Sequence, residues 1–297
     1  MKSILILVAL LSYNIPCISQ SKNIIADGAA LVLVADGYAF TEGPASDKKG
    51  NVYFTDQPNN SILKWDAQSN TISTFMKPSG RANGLFVDNQ GNLLAAADEK
   101  NELWKIDMDK NVSILLQQFE NKKFNGPNDI WVDKKGGIYF TDPFYQRPYW
   151  ERKEPELAEQ LVYYLAPKTK KAEVIAMNFV RPNGIIGSAY GKTLYVADIG
   201  DNKTYAYSIE ADGSLRNRKL FTNIGSDGMT IDNQGNVYLT GDGVIVFDSK
   251  GNQIEHIRTG KDWTANVTFG GPEQNVLFIT ASQAVYTLKM NVKGVRW

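Results

Sequence analysis

Two carboxylates and four amides recur along this chain at one phase of a repeat: Glu42, Asn83, Asn128, Asn183, Asp227 and Asn266. Their spacing is roughly 40–55 residues, the period of propeller blades. Such side chains offer hard oxygen donors, the ligands that calcium and magnesium take, whereas structural zinc favours histidine and cysteine. The chain has one histidine and one cysteine, so a dedicated zinc site is a poor fit. Two carboxylates balance a divalent charge and leave positions for water and substrate. Metal-assisted hydrolysis is the chemistry this set can do, because a bound cation polarises a carbonyl and lowers the pKa of water. A serine hydrolase lacks its parts. There is no Gly-x-Ser-x-Gly elbow, and a triad would have to use His256, which lies in Gln253-Ile-Glu-His-Ile, an expected outer strand.

The elements that must position these residues are strands. Each polar residue stands before a short apolar segment, a turn and a second strand: Glu42-Gly-Pro leads to Asn51-Val-Tyr-Phe-Thr-Asp56, and Asn128-Asp-Ile to Gly137-Ile-Tyr-Phe-Thr-Asp142. Runs such as Tyr205-Ala-Tyr-Ser-Ile and Val244-Ile-Val-Phe are β-branched and aromatic, and turn signals bound them. Six matching units exclude an α/β barrel and disfavour a sandwich. The expected fold is all-β, a six-bladed β-propeller over residues 20–297, with the metal site at the mouth of its central channel. Turns of the form Asp-x-x-Gly-Asn, at Asp47, Asp88, Asp232 and Asp248, read as hairpin connections. They lack the further acidic ligands of a calcium loop. Taken singly, an Asn-Gly or Asp-Gly also reads as a tight turn; the set in phase reads as a site.

The 297 residues are 43% hydrophobic and 22% charged with zero net charge, an ordinary globular composition without the basic stripe of a nucleic-acid binder. Residues 1–19 form an expected signal peptide. Lys2 precedes the apolar run Ile4 to Leu11, which is far short of the ~20 residues that span a bilayer. Export to a periplasm or exterior is the expected localisation. Pro16 before Cys17 disfavours a lipoprotein anchor, and as the sole cysteine Cys17 leaves the mature chain without a disulfide. Asn266-Val-Thr268 matches a glycosylation sequon, but a channel-facing register makes a glycan unexpected.

Five strings carry a resemblance: Phe40-Thr-Glu-Gly-Pro44, Gly126-Pro-Asn-Asp129 with Tyr139-Phe-Thr-Asp-Pro143, Arg181-Pro-Asn-Gly184, Ser226-Asp-Gly-Met229, and Asn266-Val-Thr-Phe-Gly-Gly-Pro272. The chain resembles the senescence-marker-protein-30/gluconolactonase/luciferin-regenerating-enzyme family, and its gluconolactonase-type members most. The resemblance implies one catalytic divalent cation, usually Ca2+, with Mg2+, Mn2+ or Zn2+ in some members. It implies Glu42, Asn183 and Asp227 as ligands, with Asn128 contacting metal, water or substrate. The implied reaction is hydrolysis of a small-molecule sugar lactone, with Asp227 as general base or nucleophile. Two alternatives stand beside it: phosphotriester or aryl-ester hydrolysis at the same metal, and a non-catalytic propeller that binds a sugar or a protein. Asn83, Asp129, Arg81 and Arg181 are candidate substrate contacts, the arginines because each sits two residues before an axial asparagine. The insertion 144–159, rich in aromatics and charge, is expected to border the substrate pocket, with Tyr145, Tyr149 and Trp150 available to stack on a ring.

Overall fold

Turn residues alternating with apolar runs become strands throughout. The computed structural model describes residues 23–295, and among these there are 26 strands and no helix. The expected signal peptide, residues 1–19 with Cys17, lies outside the described residues.

Twenty-four of the strands form six four-stranded antiparallel sheets, the first five of them meanders that run from the channel outward, and the other two pair as a short hairpin, Gln118–Phe119 with Lys122–Lys123. The first blade comprises Thr41–Ser46, Val52–Asp56, Ser61–Asp66 and Thr71–Met76. The next four begin at the inner strands Ala82–Val87, Ile130–Val132, Pro182–Gly187 and Met229–Ile231. The sixth departs from this order. Its inner three strands are Thr264–Gly270, Val276–Ala281 and Ala284–Lys289, but its outer strand is Val32–Ala35 from the start of the fold. Val32 pairs with Thr287 and Leu33 with Tyr286, so backbone hydrogen bonds between the two ends close the ring. Closure leaves the inner sheet faces without a free edge.

Each blade is flanked by two others, which sets the burial pattern. The second strand Val52–Asp56 is buried at every residue, whereas every residue of the outer strand Thr71–Met76 is exposed or half-buried. Facing sheets interdigitate large side chains. Trp131 and Tyr139 of the third blade pack with Ile185, Tyr195 and Leu194 of the fourth, all buried. The Asp-x-x-Gly-Asn turns are closed by their own side chains. Asp47 Oδ1 accepts from the backbone N–H of Lys49 (2.8 Å) and Asn51 (3.0 Å), and Oδ2 accepts from Asn51 Nδ2 (2.8 Å). Asp88 and Asp232 repeat this arrangement. These aspartates are committed to turn geometry.

At Gly84 and Gly184 the glycine after the axial residue serves the approach of the next blade rather than a tight turn. Gly84 lacks a positive φ; its N–H donates to the carbonyl of Asn128 in the next blade at 2.7 Å, and a Cβ there would collide with that oxygen. At Gly184 a Cβ would lie 2.7 Å from the Asp227 carbonyl oxygen. The blades meet backbone to backbone around the channel, and only glycine permits that approach.

Candidate active site

The axial residues sit where the inner strands lose register. In the first blade pairing runs Glu42 with Thr55 and then Ala45 with Tyr53; the second and fourth blades slip at Ala82/Leu85 and Pro182/Ile185. Such bulges re-aim a side chain out of the sheet plane. Here they turn it into the channel. In the third and fifth blades the paired strand starts just after Asn128 and Asp227, which are held by backbone bonds to Thr141 and Thr240.

Glu42, Asn83, Asn128, Asn183 and Asp227 line one cavity of about 260 Å³. Its remaining walls are Phe40, Gln57, Tyr145, Arg147, Ile199 and Trp263. Glu42 Oε2 accepts from Gly43 N–H (2.8 Å) and from Asn266 Nδ2 (3.2 Å). Asp227 is gripped at both oxygens: Oδ1 accepts from Asn183 Nδ2 (2.8 Å) and Oδ2 from Trp263 Nε1 (2.7 Å). Asn183 Nδ2 also donates to the Tyr145 hydroxyl at 3.0 Å. The Asn83 Oδ1 is buried and has no hydrogen-bond partner among the described residues.

Burial dominates the electrostatics. It pushes the Glu42 carboxyl well above the usual carboxylate range, and the Asp227 charge pushes it further. Burial raises Asp227 to about 6 against the opposing hydrogen bonds from Trp263 and Asn183. A buried and a half-buried carboxylate facing one space, with an amide oxygen left unsatisfied beside them, form a set short of positive charge. Among the described residues no three His, Cys, Asp or Glu side chains converge. The donors here are two carboxylates completed by amides, which fits a hard cation with open positions and does not fit zinc.

The other expected contacts are placed elsewhere. Asp129 lies deeper in the channel, accepting from the N–H groups of Ile130 (2.9 Å) and Ile185 (3.3 Å), and burial raises it to about 7. It lines a second cavity of about 270 Å³ on the other side of the axial ring, as does Asn266. Arg81 donates to the Pro58 carbonyl (2.7 Å) and stacks on Tyr149 at 4.3 Å; Arg181 stacks on Tyr145 at 4.9 Å. Neither arginine lines the cavity of Glu42 and Asp227. Arg147 does, and its side chain comes from the insertion.

The insertion follows Asp142 and brings Tyr145 and Arg147 into the cavity of Glu42 and Asp227. Of its aromatics only Tyr145 reaches the cavity. Trp150 is buried and donates from Nε1 to the Asp98 carbonyl (2.9 Å), while the Tyr149 hydroxyl donates to the Asp98 carboxylate (2.7 Å). His256 is far from this chemistry, on the outer strand Gln253–Ile257, with Nε2 2.6 Å from the Asp242 carbonyl.

The sequence profile of the SMP-30/Gluconolactonase/LRE-like region matches residues 40–283, which spans all six axial residues. The chain belongs to this family. Among similar proteins is a gluconolactonase from Zymomonas mobilis, 29% identical over 293 residues that cover 88% of this chain and 82% of that one. Regucalcin from Xenopus laevis is 26% identical over 270 residues, 84% of this chain and 85% of its own. The solved structure of a gluconolactonase from Xanthomonas campestris superposes with a TM-score of 0.84 at 30% identity, covering 90% of this chain and 91% of that one.

Trp263, Phe40, Gln57 and Ile199 were not singled out from sequence. Phe40 and Trp263 carried a signal, since they precede axial residues by two and three positions. Gln57 and Ile199 carried a weaker one, each directly following the aspartate that ends a second strand.

Proposed function

We propose that this family member is a divalent-metal-dependent hydrolase that opens sugar lactones. The observation that carries the reading is the convergence of Glu42, Asp227 and the unpartnered Asn83 Oδ1 in one cavity. Glu42, Asn183 and Asp227 would hold the ion, with Asn128 beside them, and oxygen donors make Ca2+ the first choice. When bound, the cation supplies Lewis acidity toward the lactone carbonyl. Asp227 orients the attacking water and accepts its proton as the carbonyl carbon is attacked. That proton passes to the ring oxygen as the acyl C–O bond breaks, leaving a hydroxy acid. Asn183 and Trp263 keep the Asp227 carboxylate fixed through these transfers.

A cavity of about 260 Å³ suits a single small ring. It falls below the ~300–1,000 Å³ typical of drug-sized ligands. Gln57, Tyr145 and Arg147 give its walls hydrogen-bonding groups, which favour a hydroxylated lactone over an aryl ester or phosphotriester. The gluconolactonase relatives point the same way. Export is part of the proposal and rests on the pattern of residues 1–19. The test is a panel of aldonolactones assayed after chelation and again after Ca2+, Mg2+, Mn2+ or Zn2+ is restored. Hydrolysis should vanish with chelator and return with metal. Full activity in chelator, or no lactone opened with any metal, overturns the proposal.

A further inference from the structure

The second blade breaks a pattern that the first, third and fourth keep. Asp56, Asp142 and Asp198 end the second strands of their blades, and each accepts backbone N–H bonds from the segment entering its own axial residue: Phe40, Gly126 and Arg181 respectively. In the second blade Ala97 holds that place, pairing with Ala82 as Asp56 pairs with Thr41, and Asn60 Oδ1 takes over the task, accepting from Ser79 and Arg81 N–H at 2.8 Å each. Asp98 is the next residue, and among the described residues its carboxylate accepts from side chains alone. With 3% of its side chain exposed, it pairs with Arg147 Nε at 2.6 Å and accepts from the Tyr149 hydroxyl (2.7 Å) and Gln57 Nε2 (3.0 Å).

The pairing engages only Nε of the guanidinium. Among the described residues the two terminal nitrogens of Arg147 have no protein hydrogen-bond partner, and Arg147 lines the cavity that holds Glu42 and Asp227. A free arginine there would repel a cation and draw an anion. Paired with a buried carboxylate it becomes a donor without net charge, held in one geometry before anything binds.

We propose that Arg147 is a substrate-contacting residue that selects hydroxylated, uncharged lactones by donating from its terminal nitrogens to ring-substituent oxygens, with Asp98 as the residue that positions it. This inference rests on the lactonase reading above. The insertion then acts as the specificity wall of the site through Arg147, while its buried tryptophan fixes it to the second blade.

The experiment compares kcat/KM on D-glucono-δ-lactone and on δ-valerolactone, which lacks the hydroxyls, for wild type, Arg147→Ala, Asp98→Asn and the double variant. Losing charge-assisted hydrogen bonds to substrate should lower the value for the hydroxylated lactone on the order of 10–100-fold in Arg147→Ala. The value for δ-valerolactone should stay within a few-fold. Asp98→Asn should show a smaller loss with the same substrate dependence, and the double variant should be no worse than Arg147→Ala. The Ca2+-induced rise in unfolding temperature should be unchanged throughout, showing that the axial ring is intact. Arg147→Gln replaces the alanine variant if the latter fails to fold. Equal losses on both lactones would make Arg147 a structural residue and overturn the inference, as would no loss on either. A wild type inactive on both lactones would overturn the lactonase reading itself.

Discussion

Asp227→Asn separates the two things asked of this carboxylate, a charge and a fixed position. Both of its oxygens accept hydrogen bonds, from Asn183 Nδ2 at 2.8 Å and Trp263 Nε1 at 2.7 Å. An amide has one oxygen to offer, so its NH2 must face one of these donors, at a cost of roughly 1–3 kcal/mol. That cost does not vary with pH. The charge does. Burial raises Asp227 from 3.8 to about 6, so the folded metal-free protein binds a proton that the unfolded chain has lost between these values. Stability attributable to this group therefore falls as pH rises from about 4 to about 6, by an amount on the order of 3 kcal/mol. In chelator, the stability of Asp227→Asn relative to wild type should shift in the variant's favour by about that much between pH 4 and pH 7.5. Glu42 adds to the shift, because removing the Asp227 charge relieves its own ionisation. Urea unfolding at the two pH values measures it. With metal restored, the same variant should lose about 100-fold or more in kcat on a lactone, the scale of a general base. Parallel stability profiles for variant and wild type would refute the burial argument. Wild-type turnover at saturating metal would remove Asp227 from the chemistry.

His256→Ala should keep most of the wild-type kcat, since its ring contacts the Asp242 carbonyl on an outer strand; a selective collapse of turnover in a folded variant would restore a histidine mechanism. Gly84→Ala should lower stability by about 1–3 kcal/mol in thermal or urea unfolding, the range for forced overpacking. A Cβ at that position would sit 2.8 Å from the Asp129 Cα and against the Asn128 carbonyl, so the axial ring must open to admit it. An unchanged unfolding midpoint would show that the blades can separate there without strain.

Much of this protein is legible in the order of its residues. Six polar side chains in phase, strands with period-two patterning and Asp-x-x-Gly-Asn turns are local or periodic features, and they specify the propeller and its axial set. The family profile across residues 40–283 agrees with that reading. Contacts between parts distant in the chain were not legible. The strand Val32–Ala35 closes the sixth blade through pairing with Ala284–Lys289, a match that no neighbouring sequence announces. The arginine that enters the cavity is Arg147, because Asp98 from another blade holds it, whereas Arg81 and Arg181 are taken up by stacking on Tyr149 and Tyr145. Likewise Gly84 and Gly184 beside the axial residues looked like turn formers until the approach of the next blade's backbone gave them their role. Periodicity records what each repeat does to itself, and so it reached the ring. Which donor is free and which is already paired depends on neighbours brought together by ring closure, so those assignments belong to the folded chain.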